Sequence, residues 1–145
     1  MRPFAALLHV GLAGARGISP GSVVVGTEAV YCDLSAGWPV VDRVAPAAQL
    51  VDALRAALPD AHALPVHTSA AVGGALNVSS QAPFVEAMEG FGVLRAAALA
   101  GVPGVEVRAI SNEIDEDDRA RWDLEGGLAA LERALPVLLG ALRAR

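Results

Sequence analysis

Three short stretches of this chain carry residues with chemistry to offer. Gly11-Leu12-Ala13-Gly14 places small residues where backbone N–H groups can approach a ligand closely. The same composition also serves a tight turn. Met88-Glu89 sets an apolar thioether beside a carboxylate. Glu89 either complements the dipole at a helix start or accepts hydrogen bonds from sugar hydroxyls. Met88 alone is ordinary core. Ser111-Asn112 follows the clearest strand of the chain. Asn112 either ends that strand in a turn or reads a heterocycle, since one amide offers a donor and an acceptor together.

The remaining polar residues give less. Alternation along a strand puts Arg108 on one face with Glu106 and Ile110, which predicts a structural Glu106–Arg108 ion pair. His9, His62 and His67 have no ligand spacing and no paired nucleophile. Ser79 and Ser80 do not sit in a nucleophile elbow. Asp115, Asp117 and Asp118 lack the glycine and closing glutamate of a calcium loop, so a solvated loop is expected. Cys32 is the only cysteine; it excludes an internal disulfide and leaves no metal-binding spacing. No metal site is expected.

These stretches need elements to position them. Residues 7–10 read as a strand running into the glycine turn, and residues 23–33 as a second, Val-rich strand. Pro46 opens a helix with Leu50, Leu54 and Leu58 along one face, ended by Pro59-Asp60. Residues 62–68 and 84–87 read as strands, with a loop or short helix over 69–80. A helix over 89–100 is stopped by Gly101 and Pro103. Residues 105–111 form the clearest strand, followed by a polar loop over 112–122. Asp123 caps a last helix to about residue 144, which Pro136 should bend. This alternation predicts an α/β fold: a mainly parallel or mixed central sheet flanked by helices, one domain over residues 1–145. In open sheets of this kind ligands bind beyond the strands' carboxyl ends, where all three stretches fall.

Composition fits that fold. Of the 145 residues, 54% are hydrophobic and only 4% aromatic, as suits a sheet buried on both faces under small-residue helices. The net charge of −5, without any basic stripe, argues against a nucleic-acid partner. No apolar run is long enough to span a membrane without interruption, and nothing resembles a signal peptide, so a cytoplasmic location is expected.

Taken together, the stretches carry a family resemblance. Val85-Glu86-Ala87-Met88-Glu89-Gly90 resembles the ribose-binding segment of the purine nucleoside phosphorylase and methylthioadenosine nucleosidase superfamily. Val107-Arg108-Ala109-Ile110-Ser111-Asn112 resembles its base-binding strand. Val10 to Gly14 and the segment from Val23 to Asp33 are similar to its glycine turn and the stretch that follows it. Within the superfamily, Met88-Glu89-Gly90-Phe91 and the run from Arg119 to Asp123 are most similar to futalosine hydrolases, which release hypoxanthine from a nucleoside on a route to menaquinone.

The resemblance implies a site. Asn112 would be the catalytic residue, stabilising charge on the departing base. Met88 would pack under the ribose, Glu89 would hold its hydroxyls, and Gly11, Leu12 and Ala13 would line the pocket. Asn rather than Asp at position 112 implies a 6-oxopurine. No cofactor is implied; a nucleoside substrate and a homo-oligomer are. The alternatives are a purine nucleoside phosphorylase, a methylthioadenosine or adenosylhomocysteine nucleosidase, and a nucleoside-binding fragment without turnover. The family fold begins upstream of Met1, so an N-terminally truncated fold is expected, with an exposed apolar edge and without the acid that activates water. Where relatives stack an aromatic on the base this chain has Ala70-Ala71-Val72, so the resemblance implies either stacking from elsewhere, with Phe84 a candidate, or weaker stacking.

Overall fold

The computed structural model describes residues 5–34, 37, 39–77 and 81–143. Ser79 and Ser80, residue 144 of the expected last helix and parts of the 37–39 and 69–80 loops lie outside the described residues. The elements run β1 (Leu7–Arg16), β2 (Val23–Tyr31), β3 (Arg43–Val44), α1 (Ala48–Ala57), β4 (His62–Thr68), β5 (Phe84–Ala87), α2 (Gly90–Leu99), β6 (Gly104–Glu113) and α3 (Leu124–Arg143). Short 3-10 turns at Gly74–Asn77 and Arg119–Arg121 interrupt the loops.

The sheet is mixed, with order β3-β2-β4-β5-β1-β6. Strands β1–β6, β2–β4 and β4–β5 pair in parallel, while β1–β5, β2–β3 and β2–β6 pair antiparallel. The last of these, Val23–Val25 against Val107–Ala109, brings β2 back to β6 and closes the sheet on itself. A mixed central sheet flanked by helices is what the sequence predicts; the β2–β6 pairing adds a curl into a partial barrel.

Strand β1 runs further than the residues 7–10 that the sequence predicts. The stretch from Gly11 to Gly14 is not a turn. It continues the strand to Arg16, and the reversal comes at Gly17 and Gly21, whose φ values of +74° and +83° demand glycine. The small residues have another reason to be there. A Cβ on Gly11 would run into the Arg108 guanidinium, and one on Gly14 would lie 3.0 Å from Asn112 Nδ2. Glycine in β1 makes room for the long polar side chains of β6.

Strand β6 is the backbone of the core, with nine of its ten residues buried. Helices α1 and α3 cover one side, where Leu50, Leu54, Ala134 and Leu138 meet Val25, Val105 and Val107. Leu54 and Leu138 have no exposed surface, and burying each contributes about 1.5–3 kcal/mol. Helix α2 covers Ala29 and Val44 through Leu94, and its Phe91 stacks on Tyr31 with ring centroids 5.3 Å apart. Asp123 caps α3 as expected, accepting from Gly126 N at 2.9 Å. Helix α3 continues past Pro136 to Arg143.

Candidate active site

The three stretches, separated by up to about a hundred residues, meet in one cleft. Leu12, Ala13 and Gly14 from β1, Ala87, Met88 and Glu89 from the β5–α2 junction, and Ser111 and Asn112 from β6 line it together. Gly11 is not among the lining residues; it lies beneath Arg108. The cleft measures about 150 Å³. That is small beside the roughly 300–1,000 Å³ of typical small-molecule sites.

Asn112 lies inside β6 rather than in a turn after it. The β1–β6 register slips between Ala13 and Gly14, leaving Ser111 without an opposite number. Such bulges re-aim a side chain, and this one delivers Asn112 to the cleft. The residue is 5% exposed. Its Oδ1 accepts from Ser111 Oγ at 2.8 Å, and its Nδ2 donates to the Glu113 carbonyl at 2.9 Å. A primary amide has two donor hydrogens and two acceptor lone pairs, so one of each remains.

Glu89 stands at the N-cap position of α2 but does not cap it. The Phe91 N–H donates to Thr68 Oγ1 instead, at 2.9 Å. This frees the Glu89 carboxylate, which accepts from Arg108 Nη2 at 3.2 Å. Its side chain is 57% exposed and Met88 is 49% exposed, so both face solvent at the mouth.

Arg108 does more than the expected ion pair. Its Nε donates to Glu106 Oε1 at 2.6 Å, bearing out that pairing. Its Nη1 also donates to the Leu12 carbonyl at 3.3 Å, and its Nη2 to His9 Nε2 at 2.6 Å. Since a guanidinium only donates, His9 Nε2 must accept, which fixes a neutral imidazole protonated at Nδ1. Burial and the Arg108 cation hold the His9 pKa below its ordinary value, partly offset by Glu89. Burial pushes the Glu106 carboxyl up against the pull of Arg108. The second Glu106 oxygen has no hydrogen-bond partner among the described residues and lies against Gly90, at the positive end of α2. Alternation gave the Glu106 partnership; nothing in spacing could give the link to Glu89, nineteen residues away.

Two further lining residues escaped the sequence. Glu86 is buried in β5 and accepts from Gly73 N and Ala75 N, both at 2.7 Å, which fixes the turn carrying Val72 into the cleft wall. The available signal was a carboxylate in an otherwise apolar four-residue strand, a placement that requires partners when buried. Trp122 lines the cleft, whereas Phe84 does not: Phe84 is 3% exposed and stacks on His67 at 4.1 Å. Phe84 is therefore corrected as a base-stacking candidate. Among the described residues no cluster of metal-ligating side chains occurs.

Comparison with known proteins agrees with this fold. The phosphorylase superfamily model matches residues 4–144. Futalosine hydrolase of Streptomyces coelicolor is 34% identical over 165 aligned residues, spanning 97% of this chain and 68% of that protein. Futalosine hydrolase of Acidothermus cellulolyticus is 49% identical over 53 residues, 37% of this chain and 22% of that protein. Among solved structures, futalosine hydrolase of Helicobacter pylori superposes with a TM-score of 0.81 at 17% identity, over 94% of this chain and 68% of that one. The methylthioadenosine/adenosylhomocysteine nucleosidase of Neisseria meningitidis, bound to methylthio-immucillin-A, gives 0.80 at 19% identity, over 93% and 69%. The structural matches establish the shared fold, and the sequence matches place the chain within it: it belongs to the phosphorylase superfamily, in the futalosine hydrolase branch.

Proposed function

We propose that this protein hydrolyses the N-glycosidic bond of futalosine, releasing hypoxanthine, and that Asn112, Glu89, Met88 and the Gly11–Leu12–Ala13 strand form its site. The observation that carries the reading is Asn112. It is buried, aimed by a bulge and left with one donor and one acceptor. A 6-oxopurine needs that pair: the amide N–H donates to O6, and the amide oxygen accepts from a protonated N7.

The reaction follows from where charge develops. As the bond from the anomeric carbon to N9 lengthens, the sugar gains oxocarbenium character and the base gains electrons. Asn112 stabilises the departing base, in the way that preorganised donors and acceptors stabilise developing charge. Glu89, held by Arg108, accepts from the ribose hydroxyls, while Met88 packs under the ring. Water attacks the anomeric carbon. The base leaves with a proton on nitrogen, and the sugar keeps the water's oxygen as its anomeric hydroxyl.

The cleft covers less than a nucleoside, and Met88 and Leu124 leave apolar surface at its mouth. A second copy of the chain covering this surface is part of the proposal, as is a cytoplasmic location. Among the described residues no helix is long and apolar enough to cross a membrane.

The test is hypoxanthine release from futalosine, followed with and without phosphate. Release independent of phosphate is the expected result. Phosphate-dependent cleavage would assign a phosphorylase, and purine binding without release would assign a binding protein.

A further inference from the structure

We infer that Trp122 is the stacking platform for the purine, a specificity residue supplied by the loop between β6 and α3. The inference rests on the proposed nucleosidase reading and deepens it. Trp122 is the one aromatic among the cleft's described lining residues, and it lines the same cleft as Asn112. An amide that reads the edge of a purine needs a flat apolar partner against the ring's face, or the base is free to tilt out of the hydrogen-bonding plane.

The loop is built to hold this indole still. At its start, Ile114 N donates to the Ala15 carbonyl at 2.9 Å. At its end, Asp123 N donates to the Ser111 carbonyl at 2.7 Å, which ties the residue after Trp122 to the residue before Asn112. The indole Nε1–H donates to the Glu116 carbonyl at 3.0 Å, fixing the ring's rotation. The Arg119 guanidinium lies 5.5 Å from the ring centroid in a cation–π contact. The first turn of α3 anchors the assembly: a Cβ on Gly127 would lie 2.8 Å from Leu12 Cδ2 and 3.6 Å from Ser111 Cβ. Loop and helix are thus tied to both cleft strands on either side of Trp122 in the chain. Val72, on the separate turn held by Glu86, offers only a small aliphatic surface.

The experiment uses the full chain carrying Trp38→Phe, which leaves Trp122 as its only indole. Hypoxanthine is titrated while indole emission and calorimetric heat are recorded. Trp122→Phe and Trp122→Leu are added to the same background, and futalosine kinetics are measured on each. The expected result is a saturable change in Trp122 emission. Trp122→Phe should keep affinity within about threefold, and Trp122→Leu should weaken it about 5- to 150-fold, with KM rising more than kcat falls. Hypoxanthine binding with unchanged emission and full affinity in Trp122→Leu would overturn the platform while leaving the nucleosidase reading intact. Equal impairment of Phe and Leu variants, with lowered melting temperature in both, would make Trp122 a structural residue only. No binding or release by a folded parent protein would overturn both.

Discussion

In the proposed site, Asn112 is the residue that would set base specificity. Its two spare hydrogen-bonding capacities match a 6-oxopurine, and a carboxyl at the same place would match a 6-aminopurine. Asn112→Asp should therefore lower kcat/KM for futalosine by about 5- to 150-fold, the effect of mispairing one buried polar group, and raise activity toward methylthioadenosine. Comparing the two substrates on one preparation checks this. Glu89 makes a charged contact in the proposed complex, so Glu89→Gln should reduce kcat/KM about 10- to 150-fold. At His9 the consequence is a pH dependence. Its folded pKa lies below the ordinary 6.5, so the unfolded chain takes up a proton first as pH falls. Stability from this group is present above that window and is lost as pH drops through it. Glu106, with its pKa raised above 4.5, has the opposite slope, and His67, lowered by burial, has the same slope as His9. The difference between parent and His9→Gln isolates the His9 part: from pH 7.5 to 5.5, melting temperature should fall less in the variant.

At the scale of elements, β1 and β6 function as one unit. Glycines in β1 leave the space that Arg108 and Asn112 of β6 occupy. Gly11→Ala should cost about 1–3 kcal/mol, as overpacking does, because Arg108 is tied to Glu106, His9 and Leu12 and would have to give up these contacts to move aside. Arg108→Leu should cost roughly 3–5 kcal/mol by leaving Glu106 buried without its partner. Denaturant midpoints measure both. The strands at 62–68 and 84–87 were legible to the residue, because β-formers bounded by turn residues are a local signal. The end of β1 was not. Gly11 and Gly14 look like turn residues until the side chains that cross them, about a hundred positions away, are known. Strand β3, two residues long, has no periodicity to read. For the same reason the sequence identified Met88, Glu89 and Asn112 as places where chemistry could occur, but not Trp122, whose part depends on three long-range anchors.

Among the described residues, several large apolar side chains stay exposed, many of them on α3. Helix α3 buries Gly127, Ala130, Ala134 and Leu138 against the sheet. Its other side exposes Leu128, Leu135 and Leu139, and Val10 of β1 borders the same cleft as Leu128 and Leu135. These leucines form an exposed apolar patch beside the helix's charged residues, and such patches mark association surfaces. The chain should therefore associate in solution, burying roughly 1,200–2,000 Å² in total if the contact is of ordinary size. Light scattering should report a dimer or larger species, and the Leu128→Glu, Leu135→Glu double variant a smaller one; a monodisperse parent monomer would argue against that surface. The central claim is that β1, the β5–α2 junction and β6 converge on one base-and-sugar site. A crystal structure with hypoxanthine and ribose bound tests it most directly. The purine edge should sit on the Asn112 amide, with Glu89 on the sugar hydroxyls and Met88 beneath the ring. Ligand bound elsewhere, with the Asn112 cleft empty, would contradict it.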